Sequence, residues 1–95
     1  MRPSEIIPED AQQHFWAVVE QCLREFHPLD SGPSVQKMRQ LQERLLKVPI
    51  EEFELFFHSE PFGVACALAG QRLKVEDYLS RYLEIRDVEN ALTPN

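Results

Sequence analysis

Pro61-Phe62-Gly63-Val64-Ala65-Cys66-Ala67-Leu68-Ala69-Gly70 carries the reading of this chain. The nine residues from Phe62 to Gly70 contain no charged or strongly polar side chain. The run is too short to cross a membrane, which takes ~20 apolar residues. A helix that is apolar all round belongs inside a protein, covered on most sides, and small residues let its neighbours approach closely. Pro61 breaks the preceding helix, and Gly70 is placed to end this one, because glycine accepts the left-handed conformation at helix termini. The run is therefore expected to be a short central helix.

On its carboxyl side, a final helix is expected from about Val75, with Glu76 and Asp77 in its first turn and Val75, Tyr78, Leu79, Tyr82, Leu83 and Ile85 as its buried arc. Arg86 falls about 20° from Val75 at 100° per residue, in the middle of that arc, so the helix is expected to overhang the bundle there. On the amino side, Pro49 followed by Glu51 and Glu52 starts a short helix over Ile50 to His58. Ile50, Phe53 and Phe57 point inward, Phe56 flanks them, and Leu55 projects the opposite way.

Further upstream, Val35, Met38, Leu41, Leu45, Leu46 and Val48 form the stripe of another helix, with Gln42 inside it, in need of a partner or a place at the rim. Leu29 to Gly32 is expected to be the one real loop. Before it, Pro8, Glu9 and Asp10 open a long helix whose face is Ala11, Phe15, Val18, Val19, Cys22 and Phe26, with Trp16 and Leu23 at its edge. His27-Pro28 stops it. No segment alternates as a strand does. The fold class is all-α: a compact four- to five-helix bundle with a central short apolar helix, a single domain over residues 1–95, with residues 1–7 and 93–95 as flexible ends. The expected core is Phe15, Val19, Cys22, Phe26, Met38, Leu45, Phe53, Phe57, Val64, Leu68, Leu79 and Tyr82.

Sixteen acids against ten Lys and Arg leave a net charge of −6, a field that repels phosphate backbones and anionic lipid surfaces. Cys22 and Cys66 sit in apolar helical patterns, where free cysteine behaves as a small hydrophobe. With no signal-like stretch before Glu9, the expectation is a cytoplasmic protein that touches no membrane.

Residues suited to chemistry are few. His27 and His58 fall at helix carboxyl ends, which favour imidazolium, and His14 on the polar side of the long helix. Glu51, Glu54 and His58 share one side of the short helix, but the Glu-x-x-His spacing of dimetal sites and its second copy are missing. His58-Ser59-Glu60 before Pro61 and Cys66 is similar to the zinc deaminase signature, without its second nearby cysteine. No phosphate loop or nucleophile elbow occurs. No catalytic, cofactor-binding or metal-binding residue is assigned, no cofactor is expected, and the chain is not expected to be an enzyme.

Binding remains. Lys37, Arg39, Arg44 and Lys47, four cations against Glu43, give the second long helix a local charge of +3. They are a candidate basic face, which the acids of the following helix are expected to neutralise. A candidate partner surface comprises Leu55 and Phe56 together with an exposed Tyr82, Arg86 and Glu89, since Tyr and Arg are enriched in binding hot spots. The expected function is a non-enzymatic acidic module that binds another protein, a basic one by charge. The alternatives are a nucleic-acid-associated regulator using the basic helix, or a small ligand- or metal-binding protein. A homodimer through Trp16, Leu55 or the last helix stays open. Phe15-Trp16-Ala17-Val18-Val19, then Leu41 to Leu46, then Val48-Pro49-Ile50-Glu51-Glu52-Phe53 resembles the opening of a family of uncharacterised bacterial helical proteins. The resemblance covers about the first 57 residues and implies a bacterial origin and nothing chemical.

Overall fold

The central run forms helix α5 (Pro61–Ala69), and it lies against the two longest helices that precede it, α2 (Glu9–Phe26) and α3 (Ser31–Leu45). The computed structural model describes residues 3–92, with the side chains of 5–87. Phe62, Val64, Ala65 and Cys66 are buried, while Gly63 and Ala67, one turn apart, face out. A helix with no polar face is thus covered on all but a strip of its smallest residues. Gly70 ends it at φ 69°, and the Gln71 amide donates back to Cys66 O at 3.1 Å.

Around α5 the other elements are α1 (Pro3–Ile6), α4 (Ile50–Phe56) and α6 (Leu79–Leu92), with 3₁₀ turns at Pro28–Asp30 and Val75–Asp77. Among the described residues there is no strand, and the all-α bundle expected from the sequence is what forms. α2 packs on α3, α5 and α6, and one contiguous core joins Phe15, Val18, Val19 and Leu23 to Met38, Phe62, Tyr82 and Ile85. Leu23, expected at an edge, is fully buried because α2 has neighbours on three sides.

Several expectations need correction. Leu29 to Gly32 is no loop: Pro28 sets the backbone angle for a 3₁₀ turn that runs straight into α3 at Ser31. Gly32 and Pro33 then occupy the first helical turn, where a missing amide proton is harmless. Residues 3–6, assigned above to a flexible end, form α1, which packs on α4; residues 93–95 lie outside the described ones. α4 stops at Phe56, and Phe57, His58 and Ser59 continue in tight turns, each amide bonded three residues back.

The last helix differs in phase. Its expected start at Val75 is a 3₁₀ turn followed by the non-helical Tyr78 (φ −123°), so counting 100° steps from Val75 misplaces part of the arc that follows. Tyr82 and Ile85 are buried, whereas Leu79 and Leu83 are 45% and 42% exposed. Leu79 therefore leaves the expected core. Phe26, Phe57 and Leu68 are only half-buried.

Candidate functional site

Five aromatic rings meet where the amino-terminal half of α2 faces α4. Trp16 stacks on Phe56 at 5.5 Å between ring centres, Phe15 meets Phe56 and Phe57 edge-on at 5.6 and 5.0 Å, and Phe53 packs on Phe57 at 5.0 Å. The i, i+1 pairs Phe15-Trp16 and Phe56-Phe57 present aromatic surface on two adjacent helix faces, so the cluster cannot all be enclosed. Trp16, Phe53, Phe57 and Leu45 form the floor of an open groove of about 810 Å³ running between α2 and the carboxyl half of α3. Glu9, Gln13, Arg39, Gln42 and Glu43 stand around it. Gln42 thus lies at a rim. Leu46, expected in a buried stripe, is 67% exposed beside the groove, because α3 ends at Leu45 and the chain turns before it can pack.

The candidate partner surface of Leu55, Phe56, Tyr82, Arg86 and Glu89 is not assembled. Leu55 is 69% exposed on the outer side of α4, and Phe56 is half-buried under Trp16. Tyr82, placed above in both the expected core and the exposed partner surface, belongs to the core: it is 2% exposed, its ring packs on Phe62, and its hydroxyl donates to Glu60 Oε2 at 2.8 Å. Burial raises its pKa above the ordinary tyrosine range, helped by the Glu60 hydrogen bond. Arg86 is exposed and lies over the Tyr82 ring at 5.7 Å. The side chain of Glu89 lies outside the described residues.

Lys37, Arg39, Arg44 and Lys47 are all exposed, and among the described residues none of them forms an ion pair with the acids of α4. Among the described residues the ion pairs are Arg24–Glu20, Arg81–Glu25 and Arg81–Glu84, and none involves α3. α4 packs chiefly on α1. At 100° steps Lys37 and Arg44 share the outer face, whereas Arg39 turns to the groove.

The histidines divide three ways. His58 is exposed beside the exposed Glu51 and Glu54, and among the described residues no group of three or more His, Cys, Asp or Glu is arranged to hold a metal. His27 ends α2 as expected but is buried, with its Nδ1 paired to Gln71 Oε1 at 3.2 Å. His14, expected on a polar face, is half-buried, and its Nδ1 is enclosed with no hydrogen-bond partner. The lead-in through Ile7-Pro8 covers that side of α2, a contact no periodicity within α2 reveals. Cys22 and Cys66 are buried free thiols, and burial pushes Cys22 up to about 12, with Cys66 and Glu25 nearby adding to the rise.

No known protein family, curated protein or solved structure matches the chain. The resemblance over about the first 57 residues thus finds no support in a family. Among the described residues no helix is long and apolar enough to cross a membrane.

Proposed function

We propose that the chain is a non-enzymatic module that binds another protein by taking an amphipathic helical segment into the groove between α2 and α3. The observation that carries this reading is an open groove in which the half-buried Trp16 and Phe57 lie over the buried Phe53, with the exposed Leu46 beside them. Such a trough suits a helix whose anchors fall at i, i+3 or i+4, and i+7. Aromatic residues at its floor are of the type that concentrates binding energy. Glu9 and Glu43 beside the trough, and the net charge of −6, favour a segment with basic flanks, because complementary charge speeds encounter and sets orientation.

Trp16 is the single tryptophan and reports on the groove directly. Titration with a Leu/Lys amphipathic peptide of about 18 residues is expected to shift its fluorescence saturably. Leu46→Glu is expected to weaken the interaction about tenfold or more, equivalent to about 1.4 kcal/mol. Equal affinity for wild type and Leu46→Glu, or no saturation, would remove the groove from consideration.

A second reading rests on the exposed cations on and just after α3, which form no ion pair among the described residues. A regulator contacting nucleic acid through Lys37, Arg44 and Lys47 would neutralise about three phosphates, giving a log–log salt slope of about −3 with random duplex DNA. Gel shifts across salt concentrations distinguish the two. A slope of that size, lost in Lys37→Glu with Arg44→Glu, supports nucleic-acid binding, and no shift at low salt leaves the groove reading alone.

A further inference from the structure

On the far side of Phe15 and Phe57 from the groove lies a second, separate cavity of about 310 Å³. The lead-in, α2, the turn after α4, the start of α5 and α6 all contribute to it, with Ile7, Phe15, Val18 and Phe57 among its apolar walls. Only two side chains with hydrogen-bonding heads reach it, His14 and Arg86.

Among the described residues neither head has a hydrogen-bond or ion-pair partner. His14 Nδ1 is the one enclosed side-chain nitrogen or oxygen among the described residues without a hydrogen bond, a condition native proteins seldom leave unexplained. Arg86 enters no ion pair among the described residues, and its guanidinium rests over the Tyr82 ring, so its N–H donors remain available. A concave, mostly apolar pocket with a few convergent polar groups is the usual form of a small-molecule site.

We infer that this cavity binds a small monocarboxylate with an apolar body. Arg86 supplies the planar, two-pronged donor that matches a carboxylate, and the imidazole of His14, which lines the same space, offers a ring N–H to the same head. The apolar walls take the tail. At roughly 30 Å³ per water, the cavity has room for about ten water-sized groups, the scale of octanoate or 3-phenylpropanoate. The neighbouring apolar cavity that Arg86 also borders is less suitable, because Glu60 lines it and repels an anion.

The test uses the whole chain and four probes: octanoate, 3-phenylpropanoate, and the uncharged octanamide and 1-octanol. Affinities come from calorimetry and the location from methyl and imidazole NMR shifts. Octanoate is expected to saturate, to move the methyl signals of Ile7 and Val18 more than those of Val75 and Leu79, and to shift the imidazole signals of His14. The two uncharged analogues are expected to bind about tenfold more weakly or worse. Arg86 is exposed, so Arg86→Gln folds, and it is expected to lower octanoate affinity about tenfold while leaving 1-octanol unchanged. His14→Phe is the second variant, read by the same octanoate titration, with loss of affinity expected. Equal binding of octanoate and 1-octanol, an unaffected Arg86→Gln, shifts confined to Val75 and Leu79, or no binding at millimolar octanoate would each overturn the assignment. None of these results depends on the groove at Trp16, which the peptide titration tests separately.

Discussion

Tyr82 on α6 caps α5 from across the bundle. Its hydroxyl donates to Glu60 Oε2 at 2.8 Å and accepts the amide of Phe62 at 3.4 Å, one of the first-turn donors that has no partner within a helix. Glu60, the residue at the helix start, makes no side-chain cap of its own. A tyrosine thus does by tertiary contact what a serine or aspartate does locally in other helices.

Tyr82→Phe keeps the buried ring and removes only that hydroxyl. Loss of one hydrogen bond to a partly exposed carboxylate and one long bond to a buried amide is expected to lower stability by about 1–2 kcal/mol. Urea unfolding followed by circular dichroism should show an earlier midpoint at unchanged slope. The sign with pH is also fixed. Because the folded-state pKa is raised, the contribution is complete below the ordinary tyrosine value of about 10 and is lost as pH rises above it. Phenolate absorbance from Tyr82 should accompany alkaline unfolding rather than precede it.

Glu25 and Arg81 tie α2 to α6 by two parallel contacts, Arg81 Nε to Glu25 Oε2 at 2.7 Å and Nη2 to Oε1, with Nη1 reaching Glu84 at 3.0 Å. The Arg81 hydrogen bonds hold the Glu25 carboxyl below the ordinary range. A depressed carboxyl stabilises the fold above its unfolded value, about 4.3, and loses that effect as pH falls through the folded value. Arg81→Gln should therefore lower the urea midpoint at pH 7 and leave it unchanged near pH 2. The difference should shrink in about 1 M salt, since the pair is exposed.

How far these features were legible in the sequence depends on whether a helix's own period decides them. α5 was readable because every one of its faces is apolar, and the buried sides of α2 and α3 followed from 3.6-residue spacing over long stretches. Leu79 and Leu83 were misplaced because a 3₁₀ turn and one irregular residue shift the phase before α6 begins. His14 and Leu46 were misplaced for a different reason: what covers a helix edge, or fails to, is set by segments far away in the chain. The groove at Trp16 and the cavity at His14 and Arg86 are both products of such distant contacts, so neither has a sequence signature.

Cys22 is buried in the core of α2 with its thiol pushed up to about 12, chiefly by loss of solvent, and the nearby Cys66 and Glu25 act in the same direction. The thiolate is the reactive form, so Cys22 should resist alkylation in the folded protein at pH 8 and react promptly in urea. Its labelling rate under native conditions then measures opening of the core rather than intrinsic chemistry. An unfolded thiol ionises near 8.5, so this group contributes stability below that pH and withdraws it as pH rises toward about 12. Rapid modification of folded Cys22 at pH 8 would contradict its placement.

The phase of α6 can be tested by two truncations that the simple period treats alike. Counting from Val75 places both Leu79 and Ile85 in the buried arc, yet Ile85 is 2% exposed in the core and Leu79 is 45% exposed. Ile85→Ala should cost about 2–5 kcal/mol, the sum of lost burial and a cavity that α2 and α5 cannot fully collapse into. Leu79→Ala removes side-chain surface that is already half in water, and alanine is the better helix former, so the loss should stay below about 1 kcal/mol. Comparable losses at the two positions, measured by urea unfolding, would mean that α6 continues the phase set at Val75 and that Leu79 packs inside.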